Sequence, residues 1–590
     1  MSSIAGFINK KNKDIDNEDI IKNMLGSNTL SYSDSFITMG IDSSNIIYNE
    51  KENIIISFDG EIYNYKFLYE DLTIKGHKFR TREYAEVVLH GYEEYGKDIL
   101  RMLRGMFSFV IYEVDNNILF GARDFYGLKS LYYYINNKSF MYSSRIKYFS
   151  LNPYFKKEFN NDMLEKYLMF KSSVGNETFF KGVYKLEAGH YFIYKDNKLK
   201  ISKYYEFEYD NIKEEKEDKL YKNIRDLTYD SIVSQNIDSS MGFSLGYSDE
   251  DILLIDKCNV KNIVNVSIDS KRVSLEYPID INKLNVNVIS KKINKKEYMD
   301  TFNYLQSVID EPISNYQLVN LYYKTYMVRE YSNVMVSSLG VNLFFGGYYH
   351  YLDYNRNRIY NAIPYEIRKV MGLVFSKLKP SKFSDYIINH SGKLEEDYYF
   401  DGIAFTNSEI RKVLLNSSKK NVYKDVTKKY YDKIKKYDII NKLQYMDYYL
   451  YYSNNLLSMI NEVSMVNKVN FKFPYMDRMI VDYTKNIPLK YKINGKVTKY
   501  AFRNSFNNIV EVDKEYEYDK KNIVPIKEWL REKDTYDKIK SVFSNGYKLF
   551  DEEYLNKLLL EHYYSKKDNS SKIWTIYSFL LWYKENFDYK

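Results

Sequence analysis

Residues 59–79 read DGEIYNYKFLYEDLTIKGHKF, and they set the architecture of the first third of the chain. NIIISF at 53–58 runs straight into this stretch, and its β-branched and aromatic content predicts a strand that ends near Tyr63. Beyond Asn64 the apolar residues fall at helical spacing, and the segment closes on Gly76, a usual C-terminal stop. On its C-terminal side, MFSFVIYEV (106–114), NILFGARD (117–124), SLYYYI (130–135) and HYFIYK (190–195) read as strands. AEVVLHGYEEYG (85–96) reads as a second helix ending in Gly. Many strands with few helices predict a layered α+β domain over residues 1–207.

The charged stretch EYDNIKEEKEDKLYK at 208–222 serves as the linker. Beyond it, LYKNIRDLTYDSIVSQNI (220–237) reads as a helix, MGFSLGYSDEDILLIDKC (241–258) as strand, turn and helix, and NIVNVSI (262–268) as a strand. NVMVSSLGVNLFFGGY (333–348) repeats the strand-then-turn pattern. The alternation predicts a parallel, doubly wound α/β sheet over 223–590, with its site at the strand C-termini. From about residue 350 onward the pattern is almost wholly helical.

A chain of 590 residues exceeds one core, so two domains are expected. The net charge of +8 is small for this length and interspersed, which excludes a nucleic-acid stripe. Cys258 is the single cysteine, so no intrachain disulfide or Cys-rich metal site exists, and no pair among the six histidines has ligand spacing. No apolar run approaches the ~18 residues of a spanning helix, and the start lacks a signal pattern; no membrane contact and a cytoplasmic location are expected. The 66 tyrosines reflect composition bias, though a Tyr-rich surface would suit an interface.

Several stretches together resemble the glutamine-dependent asparagine synthetase family. They are SIAGFI (3–8), DGEIYNYKFLYEDLTIKGHKF (59–79), GMFSFVIYE (105–113), ARDFYGLKSLYYY (122–134) and FKGVYKLEAGHYFI (180–193). The second half adds DEP (310–312), FFGGY (344–348), FPYMD (473–477) and TKYAFR (498–503). The resemblance implies an N-terminal-nucleophile glutaminase sandwich, followed by a domain that activates a carboxylate with ATP and Mg²⁺ as an acyl-adenylate. Ammonia released by the first domain attacks that adenylate to form an amide.

Set against the family pattern, the glutaminase positions are altered together. The nucleophilic Cys is replaced by Ser2, whose α-amine would be freed by loss of Met1; a hydroxyl is a weaker nucleophile than a thiol. IDSSNI at 41–46 holds no cation where the family clamps the glutamine carboxylate. Asp59 stands in the place of the oxyanion-hole Asn, where a carboxylate repels the charge it should stabilise unless it is protonated and donates. Tyr84 replaces the Asp that holds the substrate ammonium, while Gly60, Glu61 and Asn64 persist, Gly60 and Asn64 as residues that turn geometry and packing could also retain.

In the second domain the pyrophosphate loop Ser-Gly-Gly-x-Asp-Ser reads SLGYSDED at 244–251. Ser244 and Gly246 remain, Leu245 crowds the phosphate path, and Ser248 falls on the metal-ligand Asp; a one-residue shift would offer Asp249 instead. In SLGVNLFFGGY (338–348), Leu339 replaces the catalytic Glu, Asn342 the second Mg²⁺ Asp, and Leu343 its Glu. In MINEVSM (459–465), Met459, Asn461 and Glu462 replace Lys, Asp and Arg. Lys499 matches the lysine that neutralises phosphate charge; with Arg503 it equally suits a surface helix pair.

These substitutions predict a degenerate member, with no cofactor and no metal expected, that acts on a protein partner: an active paralogue, a precursor peptide or a second copy. The alternative is an ATP- and Mg²⁺-dependent amide ligase or cyclase with a reworked site. A second is a functional glutamine-hydrolysing asparagine synthetase.

Overall fold

In a computed structural model that describes residues 3–9, 16–42, 46–136, 139–209, 214–244, 248–269, 286–356, 360, 363–375, 387, 398–510, 524–545 and 547–588, the first domain is two six-stranded antiparallel sheets laid face to face. Alternation along the strands decides what lies between them. From Gly105–Glu113, Val110 and Tyr112 turn inward with Ile55 to meet Ile4, Met39 and Tyr142 of the facing sheet. Phe107, Phe109 and Ile111 turn outward onto the helices Tyr65–Ile74 and Tyr84–Tyr95. Burial of both faces explains why this strand is apolar throughout. Ile21 and Met24 of the helix Asn17–Leu25 cover Phe7 on the opposite side, completing a helix–sheet–sheet–helix stack.

The second domain opens with the helix Glu217–Ser234, which starts inside the charged stretch; Glu217 and Asp218 lie in its first turn, where the helix dipole favours acidic residues. Five parallel strands follow: Gly242–Ser244, Asn262–Ile268, Asn287–Ile293, Val334–Val336 and Asn470–Lys472. Numbered along the chain, they lie in the order 3-2-1-4-5. Chain direction across the sheet reverses between the first and fourth strands, so a crevice opens beyond their carboxyl ends. The fifth strand lies in the region that reads as helical. Three residues leave no periodic signal, and only pairing with Val334–Val336 defines it.

One apolar cluster, distinct from the layer between the two sheets, runs through both domains. Phe579, Trp582 and Tyr583 of the C-terminal helix Ser570–Phe587 pack on Phe159 and Phe179, with ring centroids 5.0 Å apart for Phe179–Trp582 and for Phe159–Tyr583. Tyrosine is also mainly an interior residue: Tyr112, Tyr126, Tyr142, Tyr167 and Tyr298 are among the largest fully buried side chains. Tyr304, Tyr326, Tyr349 and Tyr564 are the tyrosines among the exposed large apolar residues described. Many other described tyrosines are half-buried, with their rings packed against the core.

Charge fastens the same interface. Arg104 Nε donates to both carboxylate oxygens of Asp477 at 2.9 Å, and Arg104 Nη2 lies 2.6 Å from Asp230 Oδ2. Asp477 also caps the helix Arg478–Thr484 through the Met479 amide at 2.9 Å. Asp477→Ala should cost about 3 kcal/mol, the lower end for breaking a buried pair because Asp230 still serves Arg104. Chemical denaturation would read this as a lowered midpoint; a cost below about 1 kcal/mol would mean that the pair does not hold the domains.

Candidate functional site

The crevice at the strand reversal is lined by the ends of the first and fourth strands. Ser244 closes the first strand; Gly246 lies outside the described residues. Ser248 then caps the helix Asp249–Lys257: in a capping box its backbone N–H donates to Asp251 Oδ2 at 3.4 Å, and its Oγ donates to the same oxygen at 2.5 Å. Across the crevice, Leu339 is half-buried in the turn after the fourth strand. Gly340 follows at φ 117°, a conformation open to glycine, and starts the short helix Val341–Phe344 that carries Asn342.

At the start of the helix Asp249–Lys257, two cations are paired with the chain's own carboxylates. Lys499 Nζ lies 2.6 Å from Glu250 Oε2 and 3.2 Å from Asp249 Oδ2, and Arg503 Nε donates to Asp249 Oδ2 at 2.9 Å. Asn342 Nδ2 donates to Glu250 Oε1 at 2.9 Å. Lys499 and Arg503 are 5% and 4% exposed, so they are not the surface pair that their spacing suggested. Burial pulls the Lys499 pKa down, but Glu250 and Asp249 outweigh it and hold the ammonium above its ordinary value. Burial likewise opposes the Asp249 carboxylate, and Lys499 and Arg503 hold it below its ordinary value. Lys499 itself sits at φ 54°, a left-handed conformation costing a side chain about 1 kcal/mol.

At the positions that match the family's Mg²⁺ ligands, the residues present do not supply the hard anionic oxygens that ion needs. Leu339 and Leu343 offer none, Ser248 is engaged as a cap, and Asn342 is a neutral amide turned to Glu250. Asp249 and Glu250 are bound to Lys499 and Arg503, so a shifted metal role for Asp249 would require breaking two ion pairs.

In the first domain Ser2 and residues 43–45 lie outside the described residues. Asp59 is 4% exposed and accepts from Lys129 Nζ at 3.0 Å, so a buried ammonium faces the carboxylate where the oxyanion donor is expected. Gly60 has φ 145°, and a Cβ there would meet Met106 O at 2.1 Å; strand approach requires the glycine. Asn64 donates to Met102 O at 2.9 Å and accepts from Arg104 N at 3.0 Å, bracing the adjoining turn. Glu61 pairs with Lys472 of the fifth parallel strand at 3.2 Å, and Tyr84 meets the Tyr65 ring edge-on at 5.6 Å. These contacts give each retained position a structural use.

The MINEVSM segment turns to the domain interface. Asn461 Nδ2 donates to Ser130 Oγ at 3.2 Å, and Glu462 Oε2 accepts from Asp310 N at 3.2 Å and lies 3.5 Å from Arg145 Nη2. Arg145 also donates to Asp310 Oδ1 at 3.0 Å. Burial, with Asp310 beside it and against Arg145, pushes the Glu462 carboxyl up to about 8. A small cavity runs from Asp59 and Lys129 to Asn461 and Glu462, joining the two altered regions. Lys129 and Arg145 are absent from the sequence-based site. Their signal is indirect: a buried acid on a strand demands a cation, and GLKS at 127–130 offers one.

Residues 36–205 match the glutamine amidotransferase domain and residues 281–584 the asparagine synthase family, so the class is an amidotransferase-type domain joined to a synthetase-type domain. The second match spans more than half of the 590 residues, and the chain belongs to the asparagine synthase family. It is similar to glutamine-hydrolyzing asparagine synthetase 1 of Bacillus subtilis, 27% identical over 558 residues, covering 91% of this chain and 87% of that one. A putative glutamine-hydrolyzing asparagine synthetase of Mycobacterium bovis is 27% identical over 559 residues, covering 90% and 84%. A solved allosteric regulatory enzyme of purine biosynthesis aligns with 49% of this chain and 74% of its own at 12% identity and a TM-score of 0.27, too distant a likeness to carry an inference.

Asp251 supplies a pH test of the crowded crevice. Burial, then Glu250, pushes its carboxyl from 3.8 to about 6 against the Ser248 and Ser338 hydroxyls. A raised carboxyl pKa means that the folded state binds the proton more tightly than the unfolded one. Stability is therefore lost as pH rises from about 4 to 6, and the cost, on the order of 3 kcal/mol, is complete above pH 6. Asp251→Asn, which keeps a cap acceptor, should be more stable than the parent at pH 8 and lose that advantage toward pH 4. Equal gaps at both pH values in thermal melts would contradict the assignment.

Proposed function

We propose that this family member is a non-catalytic protein that works by binding, as partner or scaffold for an active relative, its peptide substrate or a second copy. The observation carrying this reading is the Lys499–Glu250–Asp249–Arg503 network, in which buried carboxylates take the cations that would otherwise receive a phosphate. Support comes from the first domain, where Lys129 neutralises Asp59 at the oxyanion position. The same pattern governs both domains: positions that pack are kept, and positions that would bind a transferred group are paired internally. The reading needs neither ATP nor Mg²⁺. The competing reading, an ATP-dependent amide ligase with a reworked site, draws on the retained Lys499.

Calorimetric titration of the full chain with Mg·ATP separates the two. No saturable binding at millimolar nucleotide is expected, with no rise in melting temperature. Lys499→Ala should destabilise the fold by about 3 kcal/mol, because it leaves buried Glu250 without a cation while Arg503 still serves Asp249, and Lys499→Met with Glu250→Gln should recover most of that loss. Saturable micromolar binding that Lys499→Met/Glu250→Gln abolished while the fold held would overturn the proposal and favour the ligase. Glutamine hydrolysis should be no greater for the parent than for Ser2→Ala; a drop in the variant would restore the nucleophile to Ser2.

A further inference from the structure

Away from both altered centres, four potential metal ligands from three chain segments converge on the outer helical layer of the first domain. Glu50 comes from the turn between the strands Ile47–Tyr48 and Ile54–Ile62. His77 follows the helix Tyr65–Ile74, and His90 and Glu93 stand one turn apart on the helix Tyr84–Tyr95. One ligand atom from each lies within 4.8 Å of the other three. Glu93 Oε2 is 2.8 Å from His90 Nδ1 and 3.9 Å from His77 Nδ1, and Glu50 Oε2 is 3.8 Å from His90 Nδ1. Ligands at about 2.0–2.1 Å from a tetrahedral ion stand about 3.3 Å apart, so closing the shell asks the widest pair, within 4.8 Å, to approach by at most about 1.5 Å.

The outward atom of each ligand is also directed. Glu50 Oε1 accepts from Lys78 N at 2.9 Å, and Glu93 Oε1 accepts from Asn49 Nδ2 at 2.7 Å. His77 Nε2 faces Glu94 Oε2 at 3.5 Å. His90 Nε2, buried and without a hydrogen-bond partner, faces Glu86 Oε1 at 3.8 Å. Glu86 is itself 1% exposed and held by the amides of Arg80 and Thr81 and the Thr81 hydroxyl. A carboxylate behind each imidazole is the outer shell that orients metal-bound histidine and raises its basicity. The burial gradient suits entry from solvent, with His90 at the floor and Glu50 at the rim.

We propose that Glu50, His77, His90 and Glu93 form a structural Zn²⁺ site. Two imidazoles and two carboxylates neutralise a dication, and nitrogen ligands select zinc over Mg²⁺ and Ca²⁺. The ion would tie the helix Tyr84–Tyr95 to the turn before Ile54–Ile62 and to the loop after Tyr65–Ile74. Sequence spacing hides the site because His77 and His90 belong to different segments, and only their packing brings the rings to 5.0 Å.

The test uses the tag-free full chain, stripped with chelator and titrated with Zn²⁺ against a chromophoric competitor, and with Co²⁺ for its visible absorption. One ion per chain, a tetrahedral Co²⁺ spectrum and a zinc-dependent rise in melting temperature are expected. His77→Gln, nearer the rim, should weaken binding on the order of 100-fold, and Glu94→Gln about 10-fold. Replacing buried His90 would test folding as much as binding, so His77→Gln and Glu50→Gln carry the result. No stoichiometric Zn²⁺, an octahedral Co²⁺ spectrum, or affinity unchanged in both variants would overturn the proposal.

Discussion

The second domain depends on a lysine ammonium buried against two carboxylates. Lys499 reaches Glu250 and Asp249 at the start of the helix Asp249–Lys257, and Arg503 joins from one turn further along its own short helix. Isolated, any of these charges would be costly at such depth; together they satisfy one another. The helix N-terminus, with its positive dipole end and unpaired amides, is the natural seat of an anion. Here two carboxylates of the helix's own first turn pair with the neighbouring cations. The network draws the helix Tyr500–Ser505 onto the strand-reversal crevice and holds Lys499 in its left-handed backbone conformation.

Internal charge pairing of this kind extends through the molecule. Asp59 and Lys129 neutralise each other between the sheet and its neighbouring turn. Arg145, Asp310 and Glu462 join the first domain to the second, as do Arg104 and Asp477. Around these charges lies an extended apolar core, rich in aromatic rings that each bury a large area. Buried charge pairs contribute little net stability against an apolar alternative, but breaking one is costly. They therefore act as fasteners that fix how the domains meet.

Much of the fold was readable from local pattern. The strand preceding residue 64 and the helix following it, the apolar strand Gly105–Glu113 and the strand–turn–helix at 242–257 each carry their own periodicity. Asn470–Lys472 was not readable, since a three-residue strand is defined by its partner and not by its composition. At the sites, the replaced residue types at positions 59, 84, 248, 339 and 342 were visible at once. What had become of the displaced chemistry was not. Lys499 suited a phosphate-facing lysine and a helix-surface pair with Arg503 equally, and the partners of both lie about 250 positions away.

The sequence by itself determined the class of both layers, their order and the identity of every side chain that departs from the family pattern. It could do so because strand and helix periodicity and motif spacing are local properties of the chain. Only tertiary structure decided that Asp249 and Glu250 neutralise Lys499, that Lys129 answers Asp59, and that His77 and His90 share one cluster with Glu50 and Glu93. Electrostatic pairing acts over a few ångströms of space and is indifferent to separation along the chain, so it exists only once the fold has brought its partners together.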